Sequence, residues 1–267
     1  MLTGGLLGLL IGAVLGLTGA GGGIFAVPAL VFGLGMDLQS AAPLALLAVG
    51  MAAGVGAVQG LRQGIVRYKA AMVLAAAGAL TAPLGIHLAH RLPAQWLNGL
   101  FVAVMLVAAY RMYQSSRSAA ADAQAALLHT KVCKVSQDTG RLVWNLRTAA
   151  TLAAVGVVSG LFTGMLGVGG GFIIVPALAY FSELRMHSIV STSLLVIALL
   201  SGVTISVAWS QGMSASGPGA VFALAAVAGM LAGRRLAPRL SASVMQRLFA
   251  VACVCVAAMM LLRSIGQ

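Results

Sequence analysis

The sequence predicts an all-α polytopic membrane protein made of two inverted-topology repeats of about five hydrophobic segments each. Three observations predict it. Of the 267 residues, 61% are hydrophobic and only 7% charged; apolar runs follow one another along most of the chain; and the second set of runs repeats the first. A soluble surface needs charge and a lipid-facing surface excludes it, so the bilayer is the solvent that fits this composition.

Taken in order, the apolar segments fall at about 2–18, 24–36, 40–61, 70–90 and 94–113, then at about 148–166, 172–182, 188–209, 217–237 and 244–262. This divides the chain into an N-terminal membrane repeat (1–113), a polar basic connector (114–147), with a helical stretch expected around Ala119–Leu128, and a C-terminal membrane repeat (148–267). The opening MLTGGLLGLL lacks the basic flank of a secretory signal and runs straight into a motif that recurs later, so it reads as mature protein.

A shift of 148 positions aligns the repeats without a gap. Gly12, Gly16 and Gly19 fall on Gly160, Gly164 and Gly167; Gly21, Gly22 and Gly23 on Gly169, Gly170 and Gly171; Val27-Pro28-Ala29-Leu30 on Val175-Pro176-Ala177-Leu178; and Gly85 on Gly233. Charge sets their relative orientation, because Lys and Arg concentrate in cytoplasmic loops. With the connector inside, the loop bearing Arg62, Arg67 and Lys69 is inside and its uncharged counterpart, Ser210–Gly217, outside. The loop near Arg91 is then outside, and its counterpart with Arg234, Arg235, Arg239 and Arg247 inside. Equivalent loops carry opposite bias, so the repeats are inverted, with both termini outside. The first two segments of each repeat are short for a span; full crossing and a re-entrant hairpin both leave an odd number of crossings per repeat.

The net charge of +12 does not imply nucleic acid, because the basic residues sit in short clusters between apolar runs. Cys133 lies in the connector and Cys253 and Cys255 two apart on one helix, pointing to different sides, so neither a metal site nor a disulfide framework is supported. The glycine runs lack the preceding strand and the GKS or GKT ending of a nucleotide loop. His87, His90, His187, Asp37 and Glu183 fall near segment ends, which reads as solvated interface, and Arg185 pairs naturally with Glu183. No paired carboxylates, zinc spacing or Ser-His-Asp set lies within the spans, so no catalytic machinery and no cofactor are implied.

The strongest local signal is the pair Gly19-Ala20-Gly21-Gly22-Gly23 and Gly167-Val168-Gly169-Gly170-Gly171, each followed by a short apolar helix with Pro28 or Pro176 five residues on. Irregular backbone at membrane depth is tolerated only where it is buried in protein or lines a wet cavity. The turns are therefore expected to meet between the repeats, with helices beginning near Ile24 and Phe172 aiming N–H groups and positive dipole ends at one small volume suited to an anion. The competing reading is that these glycines only allow close helix packing. Hydroxyls nearby are Thr18, Thr163, Ser191, Thr192 and Ser193; the first repeat has Pro43, Leu44 and Ala45 at the positions of the last three, so the site is expected to be asymmetric.

A Gly-rich turn followed by a Pro-containing helix, occurring twice in a chain of this length, resembles the TauE/SafE family of sulfite and organosulfonate exporters. The resemblance covers nearly all of the chain outside the connector. It implies a multi-pass transporter of the bacterial inner membrane that exports a small sulfur-containing anion. The residues it marks are Gly19, Gly21, Gly22, Gly23 and Pro28 with Gly167, Gly169, Gly170, Gly171 and Pro176. The full expected substrate-binding set is Thr18, Gly19, Gly21, Gly22, Gly23, Ile24, Thr163, Gly167, Gly169, Gly170, Gly171, Phe172, Thr192 and Ser193. The expected partners are a small anionic substrate and the lipid bilayer, with oligomeric state open. A proton- or sodium-coupled transporter of another small organic anion, a narrow anion channel, and a membrane-bound assembly factor or redox partner dependent on Cys133, Cys253 or Cys255 are the rival readings.

Overall fold

The computed structural model describes residues 2–19, 22–118, 133, 144–182, 184, 186–210, 217–236 and 242–265. They form ten helices: α1 (Leu2–Thr18), α2 (Gly22–Gly33), α3 (Leu38–Arg62), α4 (Tyr68–Arg91), α5 (Ala94–Ser118), α6 (Leu146–Leu166), α7 (Gly171–Phe181), α8 (Met186–Ser210), α9 (Gly217–Leu236) and α10 (Ala242–Ile265). In α3, α4, α6, α8 and α9 the apolar stretch is long enough to cross a membrane. The chain is thus a polytopic all-α membrane protein. The expected connector helix around 119–128 lies outside the described residues.

The short helices begin inside the glycine runs, at Gly22 and Gly171. First-turn residues have no intrahelical acceptor for their N–H groups, so glycine there loses little. With 12 residues, α2 rises about 18 Å, and α7, with 11, about 17 Å, against a hydrocarbon core of about 30 Å. Neither can cross. α1 and α2 form a hairpin: Gly33 packs on Leu7, and Gly22 on Ile11 and Leu15.

Packing follows one pattern in the two sets of helices. The first helix of each set lies along the fourth of the other, α1 on α9 and α6 on α4. Both seams are backbone against backbone. Gly8, Gly12 and Gly16 meet Phe222, Ala226 and Met230, while Gly156, Gly160 and Gly164 meet Leu74, Gly78 and Ala82. Rising numbers match rising numbers, so each pair runs parallel. Without a hydrophobic drive between helices in lipid, van der Waals contact must hold them, and glycine four residues apart lets the axes close in.

At the centre α3 and α8 pack together, Gly50 on Ser201, Gly54 on Ala198 and Gly60 on Ser191, an antiparallel register. α5 and α10 pair with each other. The main core gathers Ile24, Val27 and Leu30 of α2 with Val49 of α3, Phe101 and Met105 of α5, Ile197 of α8 and Phe222 of α9, all buried.

Candidate functional site

α2 and α7 each start level with the middle of the long helices. Gly19 (φ +73°) caps α1 and lies against Val190 near the start of α8; Gly167 (φ +70°) caps α6 and lies against Ala42 near the start of α3. Both are left-handed, a conformation that costs a residue with a Cβ and not glycine. Four residues later Gly23 has come to Val49, at the middle of α3. Gly169 likewise lies at mid-span, where a Cβ would stand 3.1 Å from Ile197 Cγ2, 3.5 Å from Val49 Cγ1 and 3.8 Å from Ser201 Oγ.

The two turns touch, since a Cβ on Gly23 would run into the carbonyl oxygen of Val168. α2 and α7 also contact each other. Two half-length helices therefore start side by side at the middle of the long spans, both burying their first residues: Gly22, Gly23 and Ile24 in α2, Gly171 and Phe172 in α7. In α7 the Ile173 and Ile174 N–H groups close on Gly170 O at 3.0 and 3.2 Å. The N–H groups of Gly171 and Phe172 precede the first turn's acceptors, so the positive end of the helix dipole is presented there.

The predicted hydroxyls divide. Ser193 donates to Val190 O at 2.8 Å with Gly19 O at 3.2 Å, which ties α8 to the first turn. Thr163 donates to Ser159 O at 2.7 Å, yet its Oγ1 stays 2.6 Å from where a Gly170 Cβ would stand. Thr18 donates to Val14 O at 2.8 Å, a bond within its own helix. Thr192 is drawn away from the turns, its Oγ1 accepting the Arg67 N–H at 3.0 Å. Gly21 lies outside the described residues, as do Glu183 and Arg185. His87, His90 and His187 are exposed near helix ends.

Two residues at the turns escaped the sequence reading. Ser159 donates to Gly170 O at 3.2 Å and fills the space beside that left-handed glycine (φ +67°). Ser201 is fully buried, and its hydroxyl has no hydrogen-bond partner among the described residues. The signal available was spacing: Ser159 precedes Thr163 by one helical turn, and Ser201 follows Ser193 by two, on the same helix face. Asp37, the one acid among the described residues, is exposed at the start of α3, so no described carboxylate opposes the dipole ends.

Paired half-helices that begin at mid-depth, among apolar spans and beside a buried hydroxyl, define the broken-helix class of polytopic membrane protein. The profile of the family described as sulfite exporter TauE/SafE matches residues 5–260, and the chain belongs to that family. Two relatives, each named "Probable membrane transporter protein", come from Xylella fastidiosa strains Temecula1 and 9a5c. Each is 28% identical over 267 aligned positions covering 96% of this chain and 93% of the relative. No solved structure gives a significant match. The protein is a multi-pass membrane transporter.

Proposed function

We propose that the protein exports a small sulfur-containing anion, sulfite or an organosulfonate, by alternating access between inverted repeats 1–113 and 148–267. The carrying observation is the meeting of the α2 and α7 N-termini at the middle of the long helices, beside the Ser201 hydroxyl, which has no hydrogen-bond partner among the described residues. Backbone N–H groups and a helix N-terminus recognise an oxyanion without a titratable residue, and their value rises where water is excluded. The family description supplies the sulfur chemistry. The antiparallel packing of α3 on its repeat equivalent α8 supports the inverted relation.

In the proposed topology the connector 114–147 is cytoplasmic, both termini face outward and the protein sits in the cell (inner) membrane, because this keeps the basic loops inside. A negative interior then favours anion exit by about 2.3 kcal/mol per charge per 100 mV, enough for export without ATP.

Counterflow of radiolabelled sulfite in anaerobic proteoliposomes, with sulfate, sulfoacetate and taurine as unlabelled competitors, tests the reading. Saturable counterflow with selective competition is the expected result. Flux that neither saturates nor shows counterflow would make the protein a channel, and absence of flux from folded protein would remove the anion reading.

A further inference from the structure

At the end of the molecule where α8 starts and α3 and α9 finish, a second group of anion-recognising atoms lies beside Gly19 and away from the point where the α2 and α7 N-termini meet. Ser191 and Thr192, in the second turn of α8, are buried. Arg234, in the last turn of α9, donates from Nη1 to Gly56 O of α3, and its Nη2 lies 3.4 Å from Ser191 Oγ. Arg67 precedes α4; its backbone N–H donates to Thr192 Oγ1 at 3.0 Å, and its side-chain Nε is buried with no hydrogen-bond partner among the described residues. Two small residues make room for this arrangement. A Cβ on Gly56 would stand 3.2 Å from Arg234 Nη1, and one on Gly60 3.0 Å from Ser191 Cβ.

The charge here is not cancelled by the described part of the chain. Arg234 donates to two neutral oxygens, Gly56 O and Ser191 Oγ, and Asp37, the one acid among the described residues, sits at the opposite end of α3. A buried guanidinium N–H without an acceptor is unfavourable, and the group that repairs it best is an oxyanion, whose oxygens match the guanidinium fork. The equivalent positions of the other repeat carry none of these side chains. The repeat equivalents of Arg67, Arg234, Ser191 and Thr192 are Ala215, Ile86, Pro43 and Leu44.

We propose that Arg67 and Arg234, with Ser191, form a capture site for a free small oxyanion of sulfite, sulfonate or sulfate type at this one end, from which the central turns are loaded. In the proposed topology this end is cytoplasmic, and the loading role rests on the transport reading. The polarity follows from the chemistry. Guanidinium groups at one mouth raise the local anion concentration on the side from which export begins, and the opposite mouth, with uncharged residues at the four equivalent positions, releases without this recapture.

The deciding variant is Arg67→Gln, because the contact of Arg67 with Thr192 is made by its backbone and survives the change. Arg234→Gln removes two interhelical contacts and serves only if it elutes as folded protein. Purified full-length protein in detergent is titrated with sulfite, then sulfate, following the thermal unfolding midpoint. Ser201→Ala runs in parallel to remove the central contribution. Arg67→Gln is expected to raise the half-saturating concentration about tenfold in the Ser201→Ala background, in line with loss of one charge-assisted hydrogen bond. In phosphatidylcholine proteoliposomes it should raise the half-saturating sulfite concentration on the Arg67 side only. Unchanged titrations, or no anion-induced shift in either background, overturn the site. Dependence of the effect on added phosphatidylglycerol would make it a lipid-phosphate site and overturn the free-anion assignment. Arg67-dependent binding without counterflow in wild-type protein would leave the capture site standing and dismiss the transport substrate.

Discussion

At the residue scale the proposed anion chemistry is tested at Ser201, whose buried hydroxyl has no hydrogen-bond partner among the described residues. A buried hydroxyl without a partner costs about 1–3 kcal/mol, so its removal should not weaken the fold. Ser201→Ala is expected to keep or slightly raise the unfolding midpoint while slowing sulfite counterflow roughly tenfold, as loss of one donor to an anion does. A fall in stability with normal counterflow would reduce Ser201 to a packing residue. Gly170→Val is a poor probe by comparison, since its Cβ would enter the Ser159 hydroxyl and its φ is left-handed, so fold and function would fall together. Cys133 gives a second residue-scale prediction. Its N–H donates to Phe181 O at 2.9 Å, and burial pushes its thiol up while a hydrogen bond with Thr148 pulls the other way. The thiolate is the reactive form, so a protein retaining only Cys133 should resist maleimide near neutral pH and label faster only as pH climbs above the ordinary thiol range. Rapid labelling at pH 7 would place that thiol in an open environment.

Among elements, the glycine seams and the glycine turns do different work, although in the sequence they form one continuous string. Gly12, Gly16, Gly160 and Gly164 are helical and serve close packing, whereas Gly19, Gly167, Gly169 and Gly170 take left-handed backbone. Close packing and left-handed turn backbone are therefore served by different glycines. Gly160→Leu is expected to force α6 from α4, where its Cβ would strike Gly78, and to cost about 1–3 kcal/mol or more as an overpacked contact. Gly99→Leu, with nothing within 4 Å of a Cβ, should be tolerated; thermal unfolding monitored by size-exclusion chromatography separates the two. Helix positions along the chain were legible because apolar runs in lipid have few alternatives to helix, and the short α2 and α7 were legible as short. Their exact starts were not, because glycine reports backbone freedom without saying which way the freedom is used.

For the whole molecule, orientation carries the prediction. In a background with Cys133, Cys253 and Cys255 replaced by Ser, Gln63→Cys should be shielded from an impermeant maleimide in intact cells and label after permeabilisation, whereas Arg91→Cys should label from outside. The reverse would invert the topology and with it the direction of anion capture. What the sequence by itself determined was the solvent, the repeat and the positions of two glycine-rich breaks, since composition, self-similarity and backbone permissiveness are properties of the chain. Only the tertiary structure decided that Gly23 meets Val168, that Ser193 serves the first turn and Thr192 the Arg67 loop, and that Ser201, at mid-span, has no hydrogen-bond partner among the described residues. The reason is physical. In a bundle where nearly every face is apolar, hydrophobic periodicity cannot say which side of a helix looks inward; that is set by which backbones approach closely enough to pack.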